Sequence, residues 1–286
     1  MRKPKVLLFG LALGVLTGCG PAPTSAAPTS SPSAQPSAPL RSAKAAASKR
    51  PRPPAVPVQR KPLPADPARG KPARSKPAHP KRHAVGPAGS LMRTGRAGVA
   101  LTFDDGPDPV QTPRLLDLLK RQHVKATFCL VGSNAAAYPR LVRRIAAEGH
   151  TLCNHTWRHS LTLGREKPAV IRADLRRTDK AIRRAVPGAR IRYMRAPGGN
   201  FTPAFVAVAA ELGMKSIYWQ VDPKDWEHPE GESAAAHKAK IVHTVKSRVG
   251  KGAIVLSHDY RQPETIAAYR KLLPWLRKHY RLIALP

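Results

Sequence analysis

Aromatic residues are scarce in this chain: Phe, Trp and Tyr make up 5% of its 286 residues. A single globule of that length would have a poorly filled core, so the composition is that of a mixed chain. Cysteine is rarer still, at three residues, which excludes a disulfide scaffold. No apolar run reaches the roughly 18 residues of a membrane span, so a multi-span membrane protein is excluded. Acids are few as well: 17 Asp and Glu stand against 50 Lys and Arg, a formal net charge of +33. Such a charge points to an anionic partner, and its meaning depends on where it sits.

What is abundant, besides basic residues, is proline, and its distribution divides the chain. Residues 1–18 have the layout of a secretory signal: Arg2, Lys3 and Lys5 precede an apolar stretch over 6–15 that is too short to span a bilayer. Leu16-Thr17-Gly18-Cys19 resembles the bacterial lipobox, in which the Cys is diacylated and becomes the mature N-terminus. Cys19 is therefore the expected lipidation site, and the expected location is the outer face of a bacterial cell membrane. Residues 19–92 read as a disordered basic tether. From residue 20 to 92 there are 17 of the 31 prolines and 13 basic residues with one acid, Asp66, and no helical or strand period survives. At ~3.1 Å per residue in an extended form, such a tether reaches on the order of 200 Å, into a cell wall. Its charges suit contact with anionic wall polymers as much as simple solubility. Export also takes the chain away from nucleic acid.

Residues 93–286 read as one α/β domain. Apolar runs predict strands over 99–103, 126–131, 150–153, 192–195, 216–221 and 253–257. Amphipathic stretches predict helices over 113–122, 139–148, 168–185, 203–212, 234–249 and 263–279. The alternation argues for a parallel sheet closed into, or wound like, a barrel. Active sites of such folds lie at the C-terminal strand ends. There this sequence places Asp104 and Asp105, His155 and His159, Arg195, Asp222 and Asp225, and His258. Two His at i, i+4 with a carboxylate leave coordination positions open on one ion, the pattern of a catalytic metal site. His258, closing an apolar strand, is the candidate proton donor, with Asp225 to orient it and raise its pKa. Arg195 is placed to pair with the aspartate that does not face the metal.

Five ordered segments resemble the polysaccharide deacetylases, the NodB-homology family also called carbohydrate esterase family four. They are Thr-Phe-Asp-Asp-Gly-Pro at 102–107, Asn-His-Thr-Trp-Arg-His at 154–159, Arg-Ala-Pro-Gly-Gly-Asn at 195–200, Asp-Pro-Lys-Asp-Trp at 222–226 and Leu-Ser-His at 256–258. The resemblance runs from about Gly98 to the C-terminus. It implies a distorted (β/α) barrel in which Asp105, His155 and His159 hold a divalent metal, usually zinc, with cobalt, manganese or nickel as alternatives. It further implies Asp104 as general base, tuned by Arg195, and His258 as general acid, tuned by Asp225. Trp226 and Leu256 would line the pocket for the acetyl methyl, and a backbone N–H near Gly198 would help hold the oxyanion.

The implied activity is metal-dependent removal of N-acetyl groups from an N-acetylhexosamine polymer. Peptidoglycan is the expected substrate; chitin oligosaccharides and O-acetylated xylan are the alternatives, and an inactive barrel that binds wall polymer is the non-enzyme one. A monomer is expected. Two departures stand out: Gly198 replaces the Tyr of many members, and Ser160 replaces a frequent Pro. Cys129 and Cys153 fall on consecutive expected strands, which leaves open a disulfide or two buried thiols.

Overall fold

The computed structural model describes residues Val85–Pro286. The proposed signal, Cys19 and nearly all of the tether lie outside the described residues. The domain begins earlier than the expected boundary at 92/93, because the stretch from Val85 is already joined to it. Val85 pairs with Leu91, and Leu91 bridges to Ile217. Leu91 N donates to Ser216 O at 2.9 Å, and Tyr218 N donates to Leu91 O at 2.7 Å.

Seven parallel strands form one sheet: β1 (Val99–Asp104), β2 (Thr127–Leu130), β3 (Thr151–Asn154), β4 (Tyr193–Met194), β5 (Lys215–Ser216), β6 (Ile254–His258) and β7 (Leu282–Ile283). The order is β5-β4-β3-β2-β1-β6, with β7 on β1. The strand expected over 216–221 is shorter, because this strip crosses the open side of the sheet. It leaves β4 after Ile217 and meets β6 through Gln220 N and Val221 N on Ile254 O. The sheet thus curls into the distorted barrel that the resemblance implied. Of the strands, only β7 was not anticipated.

Seven helices cover the outside: α1 (Gln111–Arg121), α2 (Gly132–Ala137), α3 (Pro139–Ala147), α4 (Pro168–Ala185), α5 (Pro203–Glu211), α6 (Ala234–Arg248) and α7 (Pro263–His279). Four of them, α3, α4, α5 and α7, start with Pro at the first turn, where its missing N–H costs nothing. Thr202 and Ser233 cap α5 and α6 by accepting from Phe205 N and Ala236 N. The short α2 was not foreseen, since Gly-Ser-Asn-Ala-Ala-Ala carries no amphipathic period.

Strand alternation separates two apolar layers. Val99, Leu101 and Phe103 belong to the large core that includes the helices. Ala100, Cys129, Cys153, Tyr193, Ile217, Ile254 and Leu285 form a second, smaller cluster. Within that small cluster Cys129 and Cys153, paired in register on β2 and β3, form a disulfide. One strand register fixes the rim above it: Ala100 pairs with Ile254, Thr102 with Leu256 and Asp104 with His258. The two residues named as base and acid are thus neighbours because their strands are.

Candidate active site

Arg195 is fully buried, and three groups accept from its guanidinium, whose Nε has no partner among the described residues. Its Nη1 donates to Thr102 Oγ1 at 2.8 Å and to Asp104 Oδ1 at 2.7 Å, and its Nη2 donates to Tyr218 O at 3.0 Å. Burying an arginine beside a carboxylate in a barrel costs much desolvation, so the pair serves position more than stability. It fixes one oxygen of Asp104 and leaves Oδ2 facing the pocket, 3.7 Å from His155 Nε2.

Asp105 follows directly, and its backbone is left-handed at φ 73°. Thr156 and His159 are also left-handed, at φ 64° and 54°. Three non-glycine residues in this region of backbone space within one rim mark a site whose geometry is held against local preference. Asn154 does part of the holding: its Oδ1 accepts from Thr156 N, and its Nδ2 donates to Leu175 O and Asp179 Oδ1. From α4, Asp174 Oδ1 accepts Trp157 N at 2.8 Å.

The result is a convergent donor set. Asp105 Oδ1 lies 3.2 Å from His155 Nε2 and 3.3 Å from His159 Nε2. One ligand atom from each residue falls within 4.8 Å of the others. His155 Nδ1 donates to Arg195 O at 2.9 Å, which leaves the Nε2 lone pair for an ion. Asp105 Oδ1 is buried with no hydrogen-bond partner, the position of an atom awaiting a cation. Burial would raise the Asp105 pKa, but His155, His258 and His159 outweigh it and hold the carboxyl well below the usual range. Burial pulls His159 down, helped by His155, so its neutral, ligating form is favoured. One carboxylate and two imidazoles with open positions fit a divalent ion of the zinc type.

Across the pocket stands a second pair. His258 Nδ1 lies 2.8 Å from Asp225 Oδ1, and Asp225 Oδ2 accepts His258 N at 2.8 Å and Thr265 Oγ1 at 2.7 Å. Burial alone would lower the pKa of His258, but Asp225, with Asp105 and Asp104 behind it, pushes it up to about 10. The ring is therefore cationic at neutral pH and carries its second proton on Nε2.

These groups share a pocket of about 360 Å³. Asp104, Asp105, His155, His159 and His258 line it, together with Gly198, Trp226 and Leu256, while Arg195 and Asp225 stand behind Asp104 and His258. The barrel thus brings the candidate catalytic, metal and substrate residues to one pocket, with Asp222 also on its wall. It also adds residues that the sequence did not single out. Leu161 is half exposed at the mouth, and a Cβ placed on Gly198 would come within 3.0 Å of its Cδ2. Leu161 therefore stands close beside Gly198 in the pocket wall. Thr265 and His237 support Asp225, the latter with Nε2 3.1 Å from Asp225 O and Nδ1 2.7 Å from Glu232 Oε2. Neither could be found in the sequence, since they lie on helices with no motif around them. Asp259 is buried beneath the turn at Gly106, and burial pushes its carboxyl up to about 7.

Known proteins resemble this chain. Residues 92–217 match the model of the family described as polysaccharide deacetylase. The chain is 38% identical over 198 residues to a chitooligosaccharide deacetylase of a Bradyrhizobium species, covering 65% of this chain and 87% of that protein. A solved peptidoglycan N-acetylglucosamine deacetylase superposes with a TM-score of 0.60 at 35% identity, over 67% of this chain and 87% of that one. A solved pseudoenzyme of carbohydrate esterase family four from Bacillus anthracis superposes with the same TM-score, 0.60, at 27% identity, over 68% and 66% of the two chains. The chain belongs to the polysaccharide deacetylase family.

Proposed function

We propose that this polysaccharide N-deacetylase acts on the N-acetylhexosamine units of peptidoglycan, using Asp105, His155 and His159 to hold a divalent metal. One observation carries the reading: a metal-type donor set, an arginine-held aspartate and an aspartate-held imidazolium face one pocket. Because a pseudoenzyme shares the fold, the intact set, and not the fold, supports activity. A metal ion bound there supplies Lewis acidity toward the amide carbonyl and the attacking water.

The chain's own groups account for the proton transfers. Asp104 Oδ2 accepts the proton of a water that attacks the acetyl carbonyl carbon. Arg195 keeps the carboxylate aimed. As the C–N bond breaks, Nε2 of His258 gives its proton to the sugar nitrogen, so acetate and a free amine leave together. Asp225 holds the imidazolium that makes this transfer favourable. Leu256 and Trp226 provide an apolar lining for the acetyl methyl.

Peptidoglycan is favoured by the reading of residues 1–92 as an export signal, a lipid anchor at Cys19 and a basic tether. In that reading the enzyme sits at the outer face of its own cell membrane and reaches into the wall. Loss of fatty-acid labelling in Cys19→Ala would support the anchor, and an unlabelled wild-type protein would overturn it. The likeness to a chitooligosaccharide deacetylase supports a second substrate class, N-acetylglucosamine oligomers. Amine release from purified peptidoglycan and chitin oligomers, measured side by side, distinguishes them. Faster turnover of peptidoglycan is expected, and turnover of chitin oligomers alone would overturn the assignment.

A further inference from the structure

The back of the loop that bears His155 and His159 carries a second concavity, a groove of about 590 Å³ between α2, α3 and α4. Its floor is small and apolar, with Ala181 and Ala185 of α4 among its residues. Four cations border it: Arg143 from α3, and Arg177, Lys180 and Arg184 from α4. No acid lines it. All four are exposed, and among the described residues none of them forms an ion pair or donates a hydrogen bond within the protein.

On the same two helices Arg144 pairs with Asp117 and Glu148, Arg172 with Glu211, and Arg183 with Asp179. Arg140 and Arg176, outside the groove, are unpaired as well among the described residues, so what sets the groove apart is that four unpaired cations meet around one apolar floor with no acid in its lining. Asp174, three residues before Arg177, accepts Trp157 N and feels the Arg177 charge without forming an ion pair with it.

The geometry of the four groups selects among anions. Arg177, Lys180 and Arg184 follow one another at i, i+3 and i+7 on one face of α4. At 1.5 Å per residue the axial steps are about 4.5 and 6 Å. That is a row, which suits a chain with one negative charge per repeat, and not the convergent ring that a compact anion needs. Arg177 is stacked over Trp157, with Cζ 4.0 Å from the ring centroid, and a guanidinium so held can take both free oxygens of a phosphodiester through its in-plane N–H groups. The same stacking covers a face of the groove's aromatic ring. A nucleic acid would need that face for base stacking.

We propose that this groove binds a linear phosphodiester polyanion of the polyol-phosphate type, at a site separate from the deacetylation pocket. The two sites share one loop. Trp157 lies between His155 and His159 in sequence, and α2 grips it through Gly132 N on Thr156 O and Ser133 N on Trp157 O. A polymer seated in the groove would hold the catalytic rim against the matrix in which that polymer is embedded. Binding requires no hydrolysis, so the proposal stands or falls apart from the deacetylase reading.

Fluorescence anisotropy with the full chain and a labelled glycerol-phosphate oligomer tests it. Arg177→Gln/Arg184→Gln is expected to weaken binding about tenfold and to reduce the log–log salt slope by about 1.4, the loss of two phosphate contacts on a single strand. Arg270→Gln/Lys271→Gln, with the same loss of charge on α7, is expected to change affinity less than about twofold. Arg143→Gln/Lys180→Gln provides a second groove variant should the first lose its fold, as judged by circular dichroism. Equal losses in groove and α7 variants would overturn the proposal in favour of diffuse charge. Wild-type affinity in folded groove variants would overturn it outright. Tighter binding of a single-stranded oligonucleotide or of polyglutamate through the same residues would replace the phosphodiester polymer with that partner.

Discussion

The two halves of the rim are built in different ways. On one side, Asp104 ends β1 and His155 follows β3, strands whose backbones are fixed by parallel pairing on both flanks. On the other, Asp225 stands in an irregular stretch that touches the sheet through an isolated bridge, Val221 to Val255. Side chains hold it instead: His258 and Thr265 on its carboxylate, and His237 on its carbonyl. Asp104 and His258 both end paired strands, whereas the half that orients His258, at Asp225, rests on a hydrogen-bonded cluster. Substitutions in the second half should therefore damage proton transfer while leaving metal binding intact.

Asp225→Asn is the strongest test of that separation. A general acid works only below its pKa, so activity falls as pH rises through it. With Asp225 in place the His258 pKa is pushed up to about 10, and without the carboxylate the opposing effect of burial remains. The alkaline limb of kcat should then move down toward or below 6.5, the ordinary value, and kcat near neutral pH should fall about 10²- to 10⁴-fold. Zinc affinity, measured by competition with a chromogenic chelator, should stay within about twofold. Joint loss of metal binding would break the comparison.

Thr265→Val removes one of the donors to the Asp225 carboxylate and should have an intermediate effect. Losing a buried hydrogen bond to a charged group costs about 1.5–3 kcal/mol. A decrease in kcat of about tenfold, with zinc affinity preserved, is expected; an unchanged kcat would show that His258 alone positions Asp225. Leu161→Ala should be the mildest. Leu161 stands over Gly198 at the mouth, so its loss should raise KM about two- to fivefold and leave kcat unchanged, the signature of uniform binding. A lowered kcat with constant KM would place Leu161 against the reacting atoms instead.

The same division explains what could be read from the sequence. Strand-end residues were visible twice over, by the βα alternation that places Asp104 and His258 on neighbouring strands and by the motifs around them. Asp225 was visible through its motif and through an expected strand over 216–221 that the fold forms only over Lys215–Ser216. Its supports, Thr265 and His237, and Leu161 beside Gly198 were invisible, since each matters through a contact made only after α6, α7 or the loop after His159 is folded. The strip after β5 was read as a longer strand because its apolar run is continuous, whereas in the fold it passes from one edge of the sheet to the other. The first residues of the domain, from Val85, were hidden by the Pro and Ala they share with the tether.

The most direct test of the whole account is acetate release from purified peptidoglycan by wild-type protein and Asp104→Asn, each before chelation, after chelation and after zinc is restored. The account predicts turnover by the wild type that disappears with chelation and returns with zinc, and a loss of about 10²- to 10⁴-fold in Asp104→Asn despite unchanged zinc binding. Turnover that survives chelation, or that Asp104→Asn retains, would contradict it.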